Sequence, residues 1–139
     1  MKAARGAKMD SISWPLGSKS QAPSLHEREY FVMVAIPHDL RDHPRSFVVP
    51  RVHVAAAAWI EHMNWLTHPD ALPGKRNAPV ERSRVLLRTF ADYEDRWDLL
   101  EVDQSAAPVL LPSGFRDLAL TERVGLPPDH EWHEGLPEW

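Results

Sequence analysis

Cysteine is absent from the 139 residues, which excludes disulfides and thiolate metal sites and disfavours a secreted, stapled scaffold. Long apolar runs are absent too: nothing approaches the ~20 residues needed to cross a bilayer, and the cationic start Met1 to Lys8 is not followed by the apolar stretch of a signal peptide. The expected setting is therefore cytoplasmic, with no membrane partner. Glycine is scarce, at six residues, and there is no Gly-rich phosphate loop, no nucleophile elbow and no zincin motif, so a self-contained hydrolase scheme finds no support. Excess positive charge is missing as well, since the formal net charge is −4. That average covers two unlike parts. Residues 1–100 carry 14 Lys and Arg against 12 Asp and Glu, whereas residues 101–139 carry 2 against 8. The acidity lies in the C-terminal segment, leaving the body free to meet phosphates, although ordinary surface charge plus a solvated extension is the plainer account.

What is present is 43% hydrophobic residue content, enough for one modest core. Ser11 to Leu16 alternates polar and apolar side chains and meets Pro15, as a short edge strand would. Tyr30 to Ile36 is an unbroken run of seven apolar residues rich in β-branched and aromatic types, predicting a strand covered on both faces. Ser46 to Val49 predicts a second strand, paired with the first as a hairpin. From His53 to about Leu66 the period changes, and Val52, Ala56, Trp59, Met63 and Leu66 fall on one helical face. Residues 67–80 form an irregular connection. Val85 to Phe90 reads as a strand or part of a short helix, Ala91 to Leu100 as a helical turn or two, and Phe115 to Val124 as the remaining helical stretch. The expected fold is α/β or α+β: a short mixed sheet with one main amphipathic helix packed on it, residues 1–102 forming the core and 103–139 an acidic, proline-rich, irregular tail.

Eight histidines raise a metal hypothesis. His130 and His133 stand three apart beside Glu131, but the flanking prolines and Gly135 suggest a mobile tail without the rigidity ligands need. His62 is expected as a hydrogen-bonded, partly buried imidazole; His26, His38, His43, His53 and His68 sit in loops or at an element end with no common spacing. Asp92, Glu94, Asp95 and Asp98 crowd one segment, where capping and solvation are expected, with Trp97, Leu99 and Leu100 packing inward. Cations cluster twice: Lys2, Arg5, Lys8 and Lys19, then Lys75, Arg76, Arg82, Arg84 and Arg88. Either set suits phosphates, and a solvated loop is the plainer account of the second.

The order of Tyr30 to Ile36, Ser46 to Pro50, Trp65-Leu66, the Pro73-Gly74-Lys75 loop, Arg88-Thr89-Phe90 and Trp97-Asp98-Leu99-Leu100 resembles the C-terminal half of a small bacterial family of PD-(D/E)XK, restriction-endonuclease-like proteins, over roughly residues 1–100. In that superfamily carboxylates bind Mg²⁺ and a lysine orients the attacking water and stabilises charge on the phosphate. Met1 to Gly6 followed by Trp14-Pro15-Leu16 resembles the family's continuation after the motif lysine, which makes Lys2 that lysine and places the metal-binding carboxylates before Met1. The resemblance thus implies Mg²⁺ for a longer form and none for this chain, with Met1 either a misassigned start or a true truncation; the plainer account of Lys2 is a frayed terminal residue. The leading expectation is a remnant or fragment of a metal-dependent DNA endonuclease domain, inactive alone, with Lys2 catalytic by descent and Arg5, Lys8, Lys19, Lys75 and Arg76 contacting DNA. The alternative is a non-enzymatic interaction module whose tail docks a protein partner through exposed Trp132 and Trp139. A weaker third reading is metal binding through His130 and His133.

Overall fold

The computed structural model describes residues 1–6 and 8–139 and shows an α+β fold. Its centre is β3 (Tyr30–Pro37), flanked by β1 (Lys2–Gly6) in parallel and β4 (Arg45–Pro50) antiparallel, giving the order β1-β3-β4. The predicted hairpin is present, in a register running from Tyr30 opposite Pro50 to Ala35 opposite Arg45. Covering of the two faces is unequal: Met33, Ala35 and Pro37 are buried, whereas Tyr30, Val32, Val34 and Ile36 on the other face are half-buried. Nothing in Lys2-Ala3-Ala4-Arg5-Gly6 favours a strand by propensity, and β1 is held by its backbone ladder to β3. Lys2 is thus part of the sheet rather than a frayed end.

A second, two-stranded sheet pairs β2 (Ser13–Pro15) with β5 (Arg84–Leu86), Trp14 opposite Val85. Trp14 ties the two sheets together. Its ring is fully buried between Phe47 and Phe90, and its indole N–H donates to the Val34 carbonyl at 3.1 Å, so the one polar atom of a large apolar group is satisfied.

Pro50 closes β4 and opens α1 (Arg51–Leu66), where a fixed φ suits the first turn and its missing N–H costs nothing. The predicted stripe is only part of what α1 buries. Val52 and Ala56 are buried and Trp59, Met63 and Leu66 half-buried, but Val54, Ala55, Ala57, Ala58 and Ile60 are buried as well. The four consecutive alanines let neighbours approach from every side of the first half of the helix.

The 103–139 segment supplies much of that cover, contrary to its expectation as a mobile tail. Ala107, Leu111, Ala119, Val124 and Trp132 join the same core as the sheets, and α2 (Ser113–Ala119) packs on α1. Gln104 is buried, accepting from the Val52 N–H at 3.2 Å and donating to the His26 carbonyl at 2.8 Å. Trp59 donates to the Val124 carbonyl at 2.8 Å. Trp132 is only 6% exposed, against His53 on one side and Trp139 on another, and Trp139 donates to the Pro112 carbonyl; neither is a free docking anchor. Prolines here end short pieces of chain that seat apolar side chains such as Leu111, Val124 and Trp132 in the core.

His53, read as an element-end residue, is buried in the first turns of α1, its Nδ1 2.8 Å from the Tyr93 hydroxyl. Residues 84–93 resolve as β5 followed by a 3-10 segment, Leu87–Tyr93. In the acidic stretch beyond, Leu99 packs inward while Trp97 and Leu100 stay exposed, and Glu94 forms a two-pronged pair with Arg45 at 2.7 and 2.8 Å. Among the described residues no helix is long and apolar enough to cross a membrane.

Candidate functional site

A groove of about 820 Å³ is built from four parts of the chain. The second half of α1 contributes Glu61, His62, Asn64 and Trp65, with His68 just beyond. β5 and the turn after it contribute Arg84, Leu86, Arg88 and Thr89; the preceding connection contributes Arg76, Ala78 and Arg82; and Pro112, Phe115 and Leu118 close it from α2. Each placement has a local cause. Glu61 and Trp65 are four apart and share a helix face. Residues 84 and 86 point to the same side of a strand, while Val85 between them is fully buried. His62, as anticipated, is a hydrogen-bonded imidazole: its Nε2 lies 2.8 Å from the Ala78 carbonyl and pins the 67–80 connection against α1.

The electrostatics of the groove are one-sided. Among the described residues, Arg76, Arg82, Arg84 and Arg88 form no ion pair, whereas Arg28, Arg41, Arg45, Arg51 and Arg96 each do. Two of the four are nonetheless held in place. Arg76 donates to the Trp65 carbonyl at 2.6 Å with its guanidinium 5.3 Å from the Trp65 ring centre, and Arg84 donates to the Ser13 hydroxyl and carbonyl at 2.8 and 3.0 Å. The lone acidic lining residue is Glu61. Burial pushes its carboxyl up to about 7, against the Thr89 hydroxyl and the Leu86 N–H (3.3 Å), which donate to it, and the nearby positive charge of Arg88. Such a carboxyl neutralises near neutral pH, so the groove is cationic over most of its range.

The residues singled out in the sequence are divided between places. Arg76 lines the groove, but Lys75 beside it is exposed and does not. Lys2 and Lys19 meet in a smaller pocket of about 410 Å³ with Ser18, Ser20, Phe31 and Arg51, where Lys2 Nζ donates to the Pro15 carbonyl at 2.9 Å. Three cations and no carboxylate line that pocket, a donor set that does not fit the Mg²⁺ implied by the endonuclease resemblance. Arg5 and Lys8 are exposed and line neither concavity. His130 and His133 do not converge on a metal. His130 Nε2 donates to the Val52 carbonyl at 2.8 Å and its Nδ1 accepts from the Trp132 N–H, so both nitrogens are engaged, and His133 Nε2 donates to the Pro127 carbonyl at 2.8 Å. Among the described residues no cluster of three or more His, Asp and Glu is arranged to hold an ion.

Sequence reasoning passed over Glu61, Trp65, Thr89, Phe115 and Leu118 as site residues. The i, i+4 spacing of Glu61 and Trp65 and the alternation Arg82-Ser83-Arg84 were signals available without coordinates; the closure by α2 was not. No protein-family model, no curated protein and no solved structure matches this chain.

Proposed function

We propose that this chain is a nucleic-acid-binding α+β domain whose partner's phosphates lie on the four arginines of the groove. The observation that carries the reading is the convergence of Arg76, Arg82, Arg84 and Arg88, none of them ion-paired among the described residues, on one concavity. Guanidinium groups left without carboxylates are suited to phosphate oxygens, which they meet with two parallel hydrogen bonds. A polyanion with flat, apolar faces also fits the rest of the lining, Trp65, Phe115 and Leu118. The concentration of acidic residues after residue 100 does not oppose this, because none of them lines the groove.

The test is fluorescence anisotropy with a labelled oligonucleotide over a range of salt. The double variant R82E/R88E is expected to abolish binding, and each arginine changed singly to alanine to reduce the slope of log affinity against log salt by about one. The double variant R5E/K8E, outside the groove, is expected to bind as the parent chain does. Parent-level binding by R82E/R88E sinks the proposal.

A second reading keeps the relationship to the PD-(D/E)XK endonucleases, and the support for it is that Lys2 begins a strand of the central sheet rather than a loose terminus. Its test is cleavage of plasmid DNA in Mg²⁺ by the purified chain and by K2A. Cleavage lost in K2A favours endonuclease chemistry; no cleavage by the parent chain leaves binding as this chain's activity.

A further inference from the structure

Resting on the nucleic-acid reading, we infer that the groove seats an unstacked base on Trp65, so that the polynucleotide it takes is single-stranded. Trp65 is 42% exposed, as Trp97 is at 47%, whereas Trp14 and Trp132 are buried; of the two exposed indoles only Trp65 lines the groove. It is not a loose surface ring. Its backbone carbonyl takes the Arg76 N–H, the Arg76 guanidinium lies over the ring, and the His62 ring sits 5.7 Å away, itself fixed by the Ala78 carbonyl. A held, partly open aromatic surface among arginines gains stacking energy only from a base whose own face is open. In a duplex those faces are covered by neighbouring pairs, and protein contacts fall on the backbone and groove edges.

The polar surroundings of Trp65 match the same ligand. Glu61 stands one turn earlier on the same face of α1. Its carboxylate accepts from Thr89 and from the Leu86 N–H, two of about four positions it can offer, leaving acceptor capacity toward the groove for an exocyclic amino group at a base edge. Arg82, Arg84 and Arg88 then flank the position of a backbone whose base has turned inward. Phosphate contact by Arg82 and Arg88 and base stacking on Trp65 come from different residues, so these two are separable by mutation.

The experiment uses the full chain and a fluorescein-labelled oligonucleotide of about 12 nucleotides of mixed cytosine and adenine, within the range of single-strand site sizes, alongside its duplex with the fully complementary strand. The single strand is expected to bind more tightly than the duplex. Trp65→Ala should weaken single-strand binding by about 5- to 150-fold, the range that loss of one base–aromatic stack implies, and weaken duplex binding less, while Trp65→Phe should retain most of the affinity even if the alanine variant folds poorly. Equal affinity for the two forms, or a Trp65→Phe chain no better than a folded Trp65→Ala chain, overturns the inference. If R82E/R88E abolishes binding while folded Trp65→Ala binds single strands at parent strength, the groove stands and base seating falls. If R82E/R88E binds at parent strength, the groove reading itself is at fault.

Discussion

Replacing Glu61 by glutamine should steepen a pH dependence of stability that the parent chain partly offsets. Two residues of α1 titrate out of their ordinary ranges in opposite senses. Burial pushes Glu61 up to about 7. His53, 1% exposed, is pushed down to about 3, chiefly by burial and secondarily by the neighbouring His130. For Glu61 the folded chain holds its proton longer than the unfolded chain, so its contribution is full below the unfolded carboxyl value of 4.5 and is lost as pH rises through about 7. For His53 the unfolded chain takes a proton first, so its contribution is present above 6.5 and is lost as pH falls toward about 3. The two windows overlap between 4.5 and 6.5, where each group has a slope near 1.4 kcal/mol per pH unit, of opposite sign. Between about pH 5 and about pH 6.5 each therefore amounts to about 2 kcal/mol, and these two oppose each other. In Glu61→Gln only the histidine slope remains, and His130, also pushed down by burial, adds to it. The assay is urea unfolding followed by circular dichroism at both pH values for parent and variant. The stability difference, variant minus parent, should grow by about 2 kcal/mol on going to the higher pH, and His53→Phe should show the opposite trend. A difference that does not change with pH refutes the reasoning, because Glu61 would then titrate alike in the folded and unfolded chains.

Two further outcomes follow from the packing. Trp132→Ala should cost about 3–5 kcal/mol in urea unfolding, as removal of a buried aromatic from a core does, whereas a tail residue would cost nothing. His62→Ala removes the bond to Ala78 and should cost about 1–2 kcal/mol while speeding proteolysis within residues 67–80, measured by mass spectrometry of the first cleavage products.

Local pattern made β3, β4 and α1 legible in the sequence, because a seven-residue apolar run and a change to helical spacing are properties of neighbouring residues. β1 carried no such pattern; Lys2 to Gly6 are in a strand because Met33 to Pro37 offer an edge. The β2–β5 pairing joins residues some 70 apart, beyond the reach of any window. The 103–139 segment was misread because prolines signal interruption of secondary structure, not absence of packing, and its single anchors Leu111, Val124 and Trp132 make no periodic signal. The groove was half-visible. Its arginines stood out as a cluster, but their sharing one face with Glu61 and Trp65 depends on β5 lying against α1, a tertiary fact.

The belt formed by residues 103–139 around α1 has a consequence for how the chain reaches this state. His130 bonds the carbonyl of Val52, 78 positions earlier, and Trp132 covers His53. During synthesis the helix, with its alanine-lined flank, is made well before its cover. Until the later residues arrive, that flank is apolar surface facing water, and closing so long a loop is slow. A ribosome-bound chain stalled between the two segments is therefore the form of this protein most exposed to aggregation and to chaperones that recognise apolar helices.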